Sequence, residues 1–183
     1  YGDALARLLD RCGYDVTREF YVNDRGVQMQ NFGASLAARK AGEEPPEDGY
    51  RGEYVTAWAA EMPDDVDPVV WGEDRALADQ RETLEAFGVH FDVWFKELAL
   101  VDSGAIEATL DELRSLDKAY DADGATWLRS SDHGDDKDRV LVKSDGELTY
   151  LTPDIAYHRD KFSRADRLIN VWGADHHGYV PRM

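Results

Sequence analysis

Residues 167–179 read RLINVWGADHHGY. Leu168, Ile169 and Val171 lead into Trp172 and the run stops at Gly173, which predicts a buried strand over 167–172 closed by a glycine. The Asp175-His176-His177 cluster that follows admits three readings. It could be a metal site, a phosphoesterase centre, or the ligand-facing end of a strand in an α/β sheet.

The elements upstream favour a sheet layered with helices. YGDALARLLDRCG (1–13) is an amphipathic helix with Gly13 just past its end, and DVTREFYV (15–22) alternates Val16, Phe20 and Val22 as a strand does. NDRG turns the chain into a second helix with Met29, Phe32 and Leu36 on one side and Gly42 at its end. Helix, strand, turn and helix in that order belong to an α/β fold. Residues 43–75 change character, holding four of the six prolines and one short helical piece, EYVTAWAAEM. RALADQRETLEAFG (75–88) predicts a longer helix, HFDVWF (90–95) a strand, and AIEATLDELRSL (105–116) a helix with Ser103 as N-cap. Two hairpins are expected, around Asp123-Gly124 and around Asp145-Gly146. Tyr150 should then end a strand, with Thr152 and Pro153 as the N-cap and first residue of a helix over PDIAYHRDKF (153–162).

Composition excludes several function classes. The formal charge is −17, with 38 acidic against 21 basic residues, so a general nucleic-acid surface has no support. No apolar run reaches the roughly 18 residues of a membrane span, and no leader pattern opens the chain. The single cysteine, Cys12, points to a reducing, cytoplasmic setting. It lies on the apolar stripe of Leu5, Leu8 and Leu9 and is expected to be a buried thiol.

Three stretches could carry chemistry. Adjacent side chains in Asp175-His176-His177 diverge, and neither His158 nor His133 completes a His-x-x-x-His pair, so no tightly bound metal is expected. An Asp-His-His phosphoesterase would need further carboxylates, for which Asp121 and Asp123 of YDADG are the local candidates. That pair also fits a plain turn. In TYLTPDIAYHRDK, Asp154 falls in the first turn of a helix, where the helix dipole favours negative charge. It could be only that. Alternatively Tyr150 and Asp154 line a pocket suited to a planar cation such as a guanidinium, with His158 one turn further along the same face. Asn23, Asp24 and Gln28 of YVNDRGVQ fit equally a connection stabilised by Asx hydrogen bonds and the lining of a site.

Taken together, GDALARLLDRCGYDVTREFYVNDRGVQMQNFG, DGYRGEY, DHGDDKDRVLVKSDGELTYLTPDIAYHRDKF and RLINVWGADHHGYVPRM resemble bacterial arginyl-tRNA synthetase, a class I aminoacyl-tRNA synthetase, over essentially the whole chain. The resemblance implies an incomplete Rossmann-like catalytic core with a helical insertion. Its first part would be residues 1–42, the mainly helical insertion 43–118, and the hairpins and second part of the core 119–183. It implies a ligase that activates L-arginine with ATP, accompanied by Mg, and transfers it to tRNA(Arg). Tyr150, Asp154 and Asp175 would bind arginine. Asn23, Asp24, Gln28, Gly173 and His158 would line the site, with Gly173 permitting close backbone approach and the neighbouring histidines structural or ligand-adjacent.

The family's His-x-Gly-His-type and Lys-Met-Ser-Lys-Ser-type signatures, which serve ATP, are missing from these residues. No residue here is therefore assigned the phosphate chemistry. The acidic chain by itself is expected to be inactive and to bind tRNA poorly.

Overall fold

The computed structural model describes residues 1–176 and 178–180, the side chain of Asp175 excepted. His177, residues 181–183 and the side chain of Asp175 lie outside the described residues, and the expected roles of His177 and Asp175 fall there. Contacts divide the chain into two compact units, Tyr1–Glu97 and Leu98–Met183.

The first unit runs α1 (Gly2–Arg11), β1 (Glu19–Val22), α2 (Val27–Lys40), α3 (Glu53–Glu61), α4 (Pro68–Ala86) and β2 (Val93–Lys96). The strands β1 and β2 pair in parallel, Phe20 opposite Trp94 and Tyr21 opposite Phe95. Parallel pairing needs a long crossover, and α2, α3 and α4 provide it. Phe20 stacks on Trp94 at 4.6 Å between centroids, and the guanidinium of Arg81 lies 4.7 Å above the same indole.

The core of this unit lies between α2 and α3, where Phe32, Leu36, Val55, Trp58, Ala59 and Met62 form one buried cluster. Two glycines let α4 approach α2. A Cβ at Gly33 would sit 2.4 Å from Val69 Cγ2, and one at Gly72 would sit 2.5 Å from Leu36 Cδ1. The start of α4 is set by Asp67, whose carboxylate accepts the Val69 and Val70 N–H groups at 2.8 and 3.3 Å, and by Pro68 in the first turn.

The second unit contains α5 (Leu98–Asp102), α6 (Ala105–Ser115), the antiparallel sheet β3 (Ala119–Ala122), β4 (Ala125–Leu128) and β5 (Arg139–Val142), and then α7 (Leu151–Arg164). The β3–β4 hairpin turns on Asp123 and Gly124, both at positive φ (53° and 77°), the backbone that an Asp-Gly pair favours in a two-residue turn. After β5 the chain folds back through Gly146 at φ 85°, with Leu148 bridging Val142. Among the described residues no helix is long and apolar enough to cross a membrane.

The first turn of α7 is fastened to β5 by two threonines. Thr149 Oγ1 donates to the Val140 carbonyl and Thr152 Oγ1 to the Leu141 carbonyl, each at 2.7 Å. The Thr149 N–H also reaches the Leu141 carbonyl, at 2.9 Å. Leu141 is fully buried, and Leu151, Thr152, Ala156 and Tyr157 form the buried face of α7. The threonine bonds anchor the start of the helix whose first turn carries Asp154.

The structure departs from the sequence expectations at several positions. The helix opens at Leu151 rather than Pro153, with Tyr150 as a helical N-cap rather than a strand end. Thr152 cannot cap because its hydroxyl is spent on Leu141, and Pro153 is tolerated because N–H groups of the first turn have no intrahelical partner. Gly104, at φ 71°, is the N-cap of α6, while Ser103 Oγ turns back to the Leu100 carbonyl at 3.3 Å. Cys12 is exposed, as is Leu8 at 64%, because nothing among the described residues covers that stripe of α1. Residues 167–172 form no strand, and Val171 is 61% exposed. A strand needs a neighbour to take its hydrogen bonds, and among the described residues 167–172 has none.

Candidate functional site

The expected site residues fall in both units. In the first, Asn23 and Gln28 are exposed and Asp24 is buried. Near Asp24, Lys96 pairs with Glu73. That contact raises the lysine's pKa most strongly, and Asp24 adds a smaller push in the same direction. The N-terminal end of α2 begins after Gly26, at φ 87°, a backbone that admits glycine readily.

In the second unit, Asp154 lies in the first turn of α7 and is half-buried. Its Oδ2 accepts the hydroxyl of Tyr179 at 2.6 Å. Tyr150 behaves differently: it is 86% exposed, its hydroxyl makes no hydrogen bond to Asp154 among the described residues, and only its carbonyl accepts the Asp154 N–H, at 3.4 Å. Residue Gly173 is exposed, and its carbonyl accepts the His176 N–H at 3.0 Å.

His158 is held on both ring nitrogens. Its Nδ1 lies 2.8 Å from the Asp154 carbonyl, and Asn170 Nδ2 lies 2.9 Å from its Nε2. A carbonyl can only accept, so Nδ1 carries the proton and Nε2 accepts from the amide. Lys161 completes the group, donating to Asn170 Oδ1 at 2.9 Å with its ammonium 4.2 Å above the Tyr157 ring. The arrangement suits a neutral imidazole. Burial pushes the His158 pKa down most strongly; the Asp154 carbonyl pulls it up, the Lys161 charge pushes it down, and the Asp154 carboxylate and Asn170 add smaller upward pulls, with a net lowering.

With the folded pKa of His158 below its unfolded value, the unfolded chain takes up the proton first. The stabilisation is fully present above an ordinary histidine pKa of about 6.5, and it is lost as pH falls through the lowered folded value. Thermal melts between about pH 7.5 and 5 should show a steeper decline for the parent chain than for His158→Gln, which cannot titrate. Parallel declines would contradict this.

The acids that a phosphoesterase would require are committed elsewhere. Asp121 accepts from Thr126 Oγ1 at 2.7 Å and Arg114 Nη2 at 3.3 Å, and Asp123 forms the turn. In the loop before β5, Asp135 takes Arg139 on both oxygens at 2.7 and 2.6 Å, which holds its carboxyl well below the usual range. Asp138 accepts Ser131 Oγ at 2.6 Å and the Tyr120 hydroxyl at 2.9 Å. Among the described residues no three His, Cys, Asp or Glu side chains gather around one point, so no residue here is assigned a magnesium ion.

The chain is 51% identical along its whole length to an arginine–tRNA ligase of Frankia alni and 48% identical to that of Bacillus pumilus, spanning 36% of each. A crystal structure of an arginyl-tRNA synthetase from Campylobacter jejuni superposes on all of it with a TM-score of 0.89 at 39% identity, over 44% of that chain. The chain thus resembles a segment of arginyl-tRNA synthetases and spans about a third of the length of the curated relatives it matches. The Thermus thermophilus arginyl-tRNA synthetase shares the fold over 86% of the chain with a TM-score of 0.61 at 23% identity. No family model matches the sequence. The α/β architecture with its helical interruption is thus that of arginyl-tRNA synthetases, and the phosphoesterase alternative has no support.

Sequence reasoning missed Tyr179, Asn170 and Lys161. The only signal available for Tyr179 was general: a tyrosine hydroxyl among apolar neighbours needs a hydrogen-bond partner.

Proposed function

We propose that this chain supplies the arginine-recognising portion of the catalytic domain of an arginine–tRNA ligase. The intact enzyme would activate L-arginine with ATP, accompanied by Mg, and transfer it to tRNA(Arg). The observation that carries this reading is the 51% identity over the full chain with a protein bearing that name. Within the segment, the core would comprise residues 1–42 and 119–183, interrupted by 43–118. Asp154, together with Tyr150 and Asp175, would grip the substrate's guanidinium. A carboxylate raised on a fastened helix turn suits that forked cation, because two parallel N–H···O bonds can form to one carboxylate. Gly173 and His158 would line or support the site in the second unit, His158 through the neutral tautomer described above, and Asn23, Asp24 and Gln28 are the candidate site residues of the first unit.

Adenylation also requires donors around the triphosphate, where negative charge moves during the reaction. Neither ATP signature is present in these 183 residues. The expected outcome is that residues 1–183 alone, assayed with arginine, ATP and tRNA, neither exchange pyrophosphate nor charge tRNA, while the intact ligase does both. Robust charging by the segment alone would contradict the proposed division of labour.

A further inference from the structure

We infer that Tyr179 is a positioning residue for Asp154, fixing the carboxylate that the preceding section assigns to the arginine guanidinium. The inference rests on that assignment. Its observation is the hydrogen bond from the Tyr179 hydroxyl to Asp154 Oδ2 at 2.6 Å, in the range of strong O–H···O⁻ bonds. Rotation of an aspartate carboxylate about its last bond is otherwise broad, and one short bond to a fixed phenol selects an orientation. Asp154 Oδ1 makes no hydrogen bond among the described residues. A carboxylate offers about four acceptor positions, so a phenol on Oδ2 still leaves both oxygens able to receive a fork.

The phenol is itself held. The Tyr179 N–H donates to the His176 carbonyl at 2.8 Å, and its ring lies 5.9 Å from that of Trp172. At the other end of the same segment, Asn170 is tied to His158 and Lys161. Asp154 and His158 lie four residues apart, on one face of α7. The stretch from Asn170 to Tyr179 is therefore fastened to that face at two points one helical turn apart. The backbone that carries Asp175 lies between them. A guanidinium fork demands a fixed carboxylate plane, so loss of the phenol should be felt in arginine binding and not in ATP binding.

The test uses the intact ligase, with Tyr179→Phe, Asp154→Ala and the double variant, and calorimetric affinities for L-arginine and for ATP. Phenylalanine keeps the ring beside Trp172 and deletes only the hydroxyl. Tyr179→Phe should weaken arginine binding about tenfold, the scale of one hydrogen bond to a charged group, and leave ATP affinity within about twofold. In the Asp154→Ala background, removing the hydroxyl should change arginine affinity by less than about twofold.

If Asp154→Ala weakens arginine binding and Tyr179→Phe does not, the inference is overturned while the role of Asp154 stands. Independent, multiplying effects in the double variant, or equal losses for arginine and ATP, also overturn it. Unchanged arginine binding in Asp154→Ala removes both. Should the phenylalanine variant fail to fold, Asp154→Ala should by itself accelerate amide hydrogen exchange across 173–179 and leave 139–142 unchanged. Unaltered exchange there would overturn the inference.

Discussion

Replacing Asp154 with asparagine in the intact ligase should raise the arginine KM by about two to three and a half orders of magnitude and leave the ATP KM nearly unchanged. Asparagine has almost the shape of aspartate and can still accept the Tyr179 hydroxyl, now bonded to Oδ2. The threonine ties of α7 to the Val140 and Leu141 carbonyls do not involve it. Under the proposed assignment, what is lost is the charge opposite a bound guanidinium. Breaking such a pair by removing one partner costs about 3–5 kcal/mol, and each 1.4 kcal/mol is about tenfold in affinity. An exposed pair would be worth only about 0–1 kcal/mol. The size of the effect therefore reports whether the carboxylate meets substrate in a closed site. Steady-state charging with arginine and ATP varied separately would measure it. An arginine KM within a factor of about three of the parent would mean that Asp154 does not meet the guanidinium in a closed site.

The second large effect concerns the fold that carries the site. Trp58→Ala should destabilise the chain by about 3–5 kcal/mol, the usual range for truncating a buried tryptophan. The indole is 8% exposed. It lies 4.9 Å from the Tyr54 ring and 6.3 Å from that of Phe32, both edge-on, beneath the guanidinium of Arg75 at 4.6 Å. Neighbours on three helices would lose their partner together. They could refill the space only by moving α3 towards α2, whose approach to α4 is already limited at Gly33 and Gly72. In a domain of 60–100 residues each kcal/mol shifts the melting temperature by about 4–8 °C, so a fall of at least about 12 °C is expected by circular dichroism. A fall below about 3 °C would mean that the cluster is not the core of the first unit.

Much of this fold was legible because local chemistry specifies it. Asp123-Gly124 demands positive φ at both turn positions, and the hairpin forms around it. The apolar period of α2 marks Phe32 and Leu36, and both are buried. Parallel pairing of β1 with β2 was not legible, because Glu19 and Val93 meet across a crossover that no local pattern encodes. The apolar stripes of α1 and of 167–172 record only that a surface is apolar, not that its cover lies in the same 183 residues. At the site, a four-residue spacing set Tyr150 beside Asp154 on the page. In the fold Tyr150 is an exposed N-cap, and the phenol on the carboxylate arrives from Tyr179, 25 positions later. The spacing singled out Asp154 as a candidate, whereas its partner depended on how the chain returns.

The most direct test is a crystal structure of the intact ligase with L-arginine bound. The expected result is both oxygens of the Asp154 carboxylate within about 2.7–2.9 Å of guanidinium nitrogens, with the Tyr179 hydroxyl still on Oδ2. A guanidinium bound elsewhere, with Asp154 keeping Tyr179 as its sole partner, would contradict the assignment.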